Sequence, residues 1–363
     1  LGLDLREAQR AWSLSERILD LLRVGDEDAR RELVEVGSAQ LAWRLGDPEE
    51  VHRRACSLCD RGRRTGSLRQ LGMGELLLAE LALYDAAPQA AGELYDRALS
   101  RFETCDDALG RAEAHMGLAR LALRGGRNEV AVHNLRKAEA LAVSGQGQDK
   151  LGPIYMLLGQ SYRGLGEVEP ASRYFAEALR CFERGGDKLS QAKVLCELGQ
   201  IAQAKGDIKS AVSLFQDYLE QAEALGDIPS LAQARANLGQ AKLQLGKTEQ
   251  AIVLLEQAKK ATADLNDKAT LAVIQVILGL ALALQERWGE ASTQIREGME
   301  AAAQLELYDI DVAESLEAVV LLPQAASKLR GVFPVWVEQV VEQWRNLGQP
   351  ERARRTLQRL ARA

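Results

Sequence analysis

The residues of this chain best equipped for chemistry fall into two short constellations, and neither is complete. Gly246-Lys247-Thr248 has the ending of a phosphate-binding loop, in which backbone N–H groups and a lysine hold the phosphates. The first glycine of such a loop would stand at Ala241, and the flanking pattern is helical on both sides, with no strand ahead of it. Nucleotide binding is therefore not expected there. His52, Cys56 and Cys59 occupy i, i+4 and i+7, which puts three metal-ligating side chains on one helical face. A tetrahedral ion needs a fourth ligand, none is evident, and Arg53 and Arg54 add positive charge beside the trio. The cysteines are read as small buried residues at a helix contact, and no metal is expected. Only His52, His115 and His133 could serve histidine acid–base chemistry, and no Gly-x-Ser-x-Gly or His-Glu-x-x-His sequence occurs. No catalytic residue and no cofactor is expected. The chain reads as a binding protein and not as an enzyme.

What it binds must be positioned by a repeat. Ala39, Ala79, Ala119, Gly159, Gly199, Gly239 and Gly279 form a ladder of small residues with a period of 40. A second follows twelve residues after each: Val51, Ala91, Ala131, Ala171, Ala211, Ala251 and Ala291. A third reads Gly46, Ala86, Gly126, Gly166, Gly206 and Gly246, with Glu286 as its exception. Small residues at fixed intervals mark places where two helices touch, and a fixed period of this length marks a solenoid. Composition agrees, being 47% apolar but only 5% aromatic and rich in alanine and leucine, which favour helices over strands.

Residues 190–225 show the unit. Ala192, Leu195, Leu198, Gly199, Ile201 and Ala202 recur at helical spacing, and Gly206-Asp207 ends that helix and caps the next. Ala211, Leu214, Phe215, Tyr218 and Ala222 then line one face of a second helix, and Gly226-Asp227 repeats the punctuation. Two further ladders complete the pattern: Ala55, Tyr95, Leu135, Phe175, Phe215, Leu255 and Ile295, then Leu58, Ala98, Ala138, Ala178, Tyr218, Ala258 and Gly298. On these positions the chain resembles the tetratricopeptide repeat family over about residues 30–305, in a long variety with a period of 40. That unit is similar to those of Pins-type adaptors and of sensor regions in large bacterial signalling ATPases. The resemblance implies an all-α, right-handed α-solenoid of about seven helical hairpins with helical caps. The expected organisation is an N-terminal capping helix in 1–28, seven repeats in 29–305, and irregular C-terminal capping helices in 306–363.

The resemblance also implies that the first helix of each hairpin lines a concave groove. One residue after the first ladder, that lining reads Gln40, Glu80, Arg120, Gln160, Gln200, Gln240 and Leu280. A side-chain amide offers both a donor and an acceptor, so a row of them can hold an extended peptide backbone without demanding particular side chains. Arg120, Arg124, Gln160, Arg163, Lys193, Gln200, Gln203, Asn237, Gln240 and Gln244 are the expected peptide-binding residues. Their mildly basic character suits an acidic or C-terminal segment. In the seventh hairpin the lining turns apolar, at Val273, Val276, Ile277 and Leu280. A helix apolar on every side is buried on every side; the apolar stretch 312–336 is the expected cover, and a docked partner helix is the alternative.

Two arginine-rich runs remain. Residues 51–69 carry six arginines against one aspartate, and 351–363 carry five against one glutamate. Without interleaved aromatics neither reads as a nucleic-acid site, and a net charge of −6 agrees. No apolar run approaches the roughly 20 residues of a membrane span. The scattered cysteines and the lack of a secretion signal lead to an expected cytoplasmic location. Opening on Leu1, the chain reads as a piece of a longer polypeptide. The expected function is a scaffold or adaptor that binds a partner's peptide segment in its groove. The alternative is the ligand-sensing region of a larger signalling or transcription-regulating ATPase.

Overall fold

The computed structural model describes residues 4–22, 25 and 29–362; positions 1–3, 23–24 and 26–28 of the expected N-terminal cap lie outside the described residues. Among the described residues every regular element is a helix. The chain forms two compact units, Leu1–Val194 and Leu195–Ala363. The first holds α1 (Asp4–Leu21), α2 (Ala29–Arg44), α3 (Pro48–Thr65), α4 (Leu68–Tyr84), α5 (Pro88–Thr104), α6 (Ala108–Arg124), α7 (Asn128–Ser144), α8 (Gln148–Gly164) and α9 (Val168–Gly185). The boundary falls within α10 (Lys188–Ala204). The second unit continues with α11 (Ile208–Leu225), α12 (Ile228–Gln244), α13 (Thr248–Asp264), α14 (Lys268–Leu284) and α15 (Trp288–Gln304). It closes with α16 (Ile310–Val320), α17 (Ala325–Lys328), α18 (Phe333–Asn346) and α19 (Pro350–Leu360).

Packing repeats with the sequence. In the first unit α2 pairs with α3, α4 with α5, α6 with α7 and α8 with α9; in the second α12 pairs with α13 and α14 with α15. The small ladder makes these pairs possible by seating the large one. A Cβ added at Gly159 would lie 2.7 Å from Phe175 Cδ1, one at Gly199 2.4 Å from Phe215 Cε1, and one at Gly279 2.3 Å from Ile295 Cγ1. The large partners Tyr95, Phe175, Phe215 and Ile295 are all fully buried. Each such side chain contributes about 1.5–3 kcal/mol by leaving water. First helices also pack on first helices, α2 on α4, α4 on α6, α6 on α8 and α12 on α14. The second helices of successive hairpins do not approach one another in this way among the described residues. Within each unit the first helices therefore make the tighter, inner face.

The turns share one backbone solution. Gly206 ends α10 at φ +78°, its N–H donates to Gln203 O at 2.9 Å, and Asp207 N–H donates to Ala202 O at 2.9 Å. Asp207 then caps α11 by accepting the Ser210 N–H at 3.2 Å. Glu286, the exception in the glycine ladder, adopts the same left-handed conformation at φ +59°, and Ala86 does so at φ +55°. The paired hydrogen bonds of the turn dictate φ, and the side chain tolerates it at a cost.

The C-terminal helices leave the period. Val312, Ala313, Leu316 and Val319 of α16 are fully buried in one core with Val276 and Ile277 of α14, and half-buried Val273 and Leu280 pack against it. Trp344 of α18, also fully buried, joins this core. Helix α18 begins at Phe333 and carries Pro334 in its first turn, where a missing N–H costs nothing.

Candidate binding site

On the inner face of the first unit, α2, α4, α6 and α8 surround a cavity of about 450 Å³. Met73, Leu76 and Leu77 of α4 and Met116 of α6 give it an apolar floor, and Trp43 of α2 stands at its edge. Trp43 meets Tyr84 edge-on, with ring centroids 5.4 Å apart, and both rings are exposed. Two ion pairs cross from one first helix to the next beside this floor. Arg120 pairs with Glu80 at 2.7 Å, and Lys150 pairs with Glu113 at 2.5 Å. Burial alone would push the Lys150 ammonium down, but the charges and hydrogen bonds of Glu113 and Asp149 together outweigh it and hold the pKa above the ordinary lysine value. Arg120 keeps its Nε–H buried and without an acceptor. Gln40 completes the lining with an amide. The site can thus seat a bulky apolar side chain on adaptable methionines while offering fixed donors to a polar backbone.

The second unit treats its inner face differently. Gln203 donates to Gln244 Oε1 at 3.1 Å, and Asn237 Nδ2 contacts Cys196 Sγ at 3.3 Å. Gln240 donates to Asp311 Oδ1 of α16 at 2.6 Å. Burial pushes the Asp311 carboxyl above the usual carboxylate range, against the pull of that hydrogen bond. Helix α16 lies on the apolar patch of α14. Asp309 caps α16 by accepting the N–H groups of Asp311 at 2.8 Å and Val312 at 3.2 Å. Gln343 of α18 ties the entry to α16 by donating to Leu307 O at 3.1 Å and accepting the Asp309 N–H at 3.2 Å.

A comparison with protein families matches residues 151–224 and 193–264 to the tetratricopeptide repeat. These hairpins are tetratricopeptide repeats. No curated protein sequence matches the chain. Among solved structures, the signal transduction ATPase with a tetratricopeptide repeat sensor from Pyrococcus horikoshii aligns at a TM-score of 0.66 and 15% identity over 94% of this chain. The chain spans 51% of that protein's length. The apo quorum sensor NprR from B. thuringiensis aligns at 0.63 and 18% identity, covering 92% of this chain and 99% of that one. A Rap protein complexed with competence and sporulation factor aligns at 0.61 and 15% identity, covering 99% of this chain and 93% of that one. Likeness at these identities shows the fold. Tetratricopeptide repeats mediate protein–protein interaction.

Against this geometry the expected groove residues separate. Arg120 lines the cavity, whereas Arg124 turns away from it and donates to the Leu83 carbonyl near the end of α4. Gln160 and Arg163 lie on α8 of the same unit, and Lys193 is exposed on α10. Gln200 is half-buried on α10. Sequence reasoning missed Met73, Met116, Glu113 and Lys150. The signal for one pair was nonetheless present, because Glu80 and Arg120 are opposite charges one repeat apart on adjoining helices of the tetratricopeptide array. His52 and Cys56 are in contact at 3.8 Å, while Cys59 is buried where a side chain on Gly74 would collide with it. Among the described residues no group of three His, Cys, Asp or Glu side chains is placed to hold a metal ion. Nor is any described helix long and apolar enough to cross a membrane.

Proposed function

We propose that this chain is a protein-interaction module that holds a peptide segment of a partner on the inner face of its repeats. The observation that carries the reading is the Met73–Met116 cavity with its flanking cross-helix ion pairs. A large apolar side chain of the peptide fills the cavity, and the Gln40 amide meets its backbone. Arg120, Gln160, Arg163 and Lys193 extend a polar, mildly basic strip that suits an acidic or C-terminal segment. The helices outside 29–305 serve as caps. Selection of random displayed peptides on the intact chain tests the proposal. Selected peptides should share one bulky apolar residue, and Met73→Glu and Arg120→Ala should each weaken them about tenfold or more without loss of helix content. Peptides that bind both variants unchanged would move the site elsewhere.

The second reading is a ligand-sensing region of a larger signalling ATPase, favoured by the fold likeness to a repeat sensor over 94% of this chain. Under it the same cavity accepts a small molecule. The coding sequence flanking this chain decides between them: a phosphate-loop ATPase domain there supports the sensor, and its absence supports the adaptor.

A further inference from the structure

The repeats serve as internal controls for one another, and one hairpin departs from its siblings on the outer side of the first unit. Tyr155 and Tyr162 of α8 and Tyr174 of α9 form a cluster that holds three of the chain's seven tyrosines. No other hairpin has a tyrosine at any of these three positions. Where hairpin α8–α9 has Tyr162, four of the other six have alanine, and where it has Tyr174, three have leucine. The fold therefore does not require these rings. Tyr162 and Tyr174 stack at 5.4 Å and 4°, and Tyr155 backs Tyr174 at 6.0 Å. All three remain half-buried. They stand beside a crevice of about 370 Å³, bounded by Pro170, Glu167, Arg173 and Glu177, with α7 supplying Arg136.

The groups shown there define what fits. The Arg136 guanidinium lies 5.0 Å from the Tyr174 ring centre and donates to the Tyr162 hydroxyl at 3.4 Å. Because Tyr162 accepts that bond, its own O–H is left to donate outward. The crevice thus presents tyrosine ring surface and the Pro170 ring, donors from Tyr162 and Arg173, and the carboxylates of Glu167 and Glu177. A strand-like peptide would bring its own N–H donors and find no backbone acceptors to meet them. A proline-rich segment brings apolar rings and carbonyls and almost no N–H groups, and in its extended helix those carbonyls are free. Glu167, exposed and without an ion pair among the described residues, would receive a basic residue at the segment's end. We propose that the Tyr162–Tyr174 crevice is a second docking site, separate from the inner face, for a proline-rich peptide with a basic flank. The proposal stands independently of the inner-face reading.

The test is fluorescence anisotropy with fluorescein-labelled decaproline carrying an arginine at each end. A glycine–serine peptide of equal length with the same two arginines is the control. Tyr174→Leu and Tyr162→Ala install the residues that sibling hairpins carry, so both variants should fold, as circular dichroism would verify. The proline probe should bind saturably, the control should not, and each variant should weaken the probe about tenfold. Met73→Glu on the inner face should leave it unchanged. Equal binding of both peptides would overturn the proposal, as would undiminished affinity in Tyr174→Leu. Loss of the probe in Met73→Glu alone would also overturn it and seat the peptide on the inner face.

Discussion

The two units build the same inner face and finish it in opposite ways. In the first, α2, α4, α6 and α8 leave a cavity with an apolar floor and charged walls. In the second, the corresponding surface of α14 is sealed by α16, and Gln240 is bonded to Asp311 of that cover. The difference teaches that a repeat does not fix the use of its surface. The same helical hairpin leaves an open cavity where its lining is half polar, and becomes a core where its lining is wholly apolar. An exposed α14 face would be an aggregation hazard, so the chain supplies its own partner.

The contrast breaks most visibly at the cover. Removing residues 306–363 should expose Val276 and Ile277 and cause aggregation, seen by light scattering and by dye binding to apolar surface. Trp344→Ala should destabilise by about 3–5 kcal/mol, read from chemical unfolding. Met73→Glu on the open face should cost less than Trp344→Ala, because Met73 is only half-buried. A truncated chain as stable and soluble as the intact one would erase the distinction between the two faces.

What the units share should respond alike. Gly159→Val in the first unit and Gly279→Val in the second drive a side chain into Phe175 and Ile295, respectively. Each should cost about 1–3 kcal/mol, measured by denaturant unfolding. A cost confined to one unit would show that the small ladder packs differently in the other.

Mild acid should separate the units by sign. Desolvation holds the buried His115 imidazole below its ordinary value, although its Nδ1 meets Asn134 Oδ1 at 3.0 Å. Lys137 and Arg111 push it further down and Glu103 opposes them. The folded chain then binds this proton less readily than the unfolded chain, so His115 costs stability as pH falls below about 6.5. Asp311 behaves oppositely. Its carboxyl is raised by burial and by the charges of Asp309 and Glu314, so the folded chain takes up that proton first. Stability from this group is gained as pH falls toward the ordinary carboxylate range. Thermal unfolding between about pH 4 and pH 7 should therefore show His115→Gln gaining relative to the parent in acid. Asp311→Asn should gain relative to the parent at neutrality. Parallel curves for either variant would remove that group from the comparison.

The smallest effect is expected at the turns. Ala86→Gly in the first unit and Glu286→Gly in the second relieve a left-handed residue without touching a packed surface. Each should raise stability by up to about 1 kcal/mol, seen as a small increase in the thermal midpoint. Unequal gains would mean that the two turns are not equivalent.

Much of this architecture was legible because stacking hairpins impose one constraint again and again. Gly199 must be small because Phe215 lies on it, and the same need recurs at Gly159 and Gly279. The turn residues repeat because the closing hydrogen bonds demand a left-handed φ, even where Glu286 stands. The cavity was only partly legible. Arg120 could be placed by its register, and Met73, Glu113 and Pro153 share one register, but that register changes residue type at every step and Lys150 lies outside it.

The arginine-rich run 51–69 marks where sequence reading stops. As a linear string it is strongly basic. In the fold Arg54 is held by Glu16, Glu35 and Glu50, Arg61 meets Glu35 at 3.1 Å, and Arg69 meets Glu32 at 2.7 Å and Asp107 at 3.2 Å. Burial alone would discourage the charge on Arg54, but these hydrogen bonds outweigh it and hold its pKa above the ordinary value. The period, the hairpins, their turns and the small-on-large packing were determined by the sequence alone, because each is a local rule that forty residues later is obeyed again. The tertiary structure alone decided which charges cancel, where a cavity opens and which face is sealed. Those depend on side chains far apart in the chain, and apart from pairs one period apart such as Glu80 and Arg120 their meeting is not recorded by the repeat.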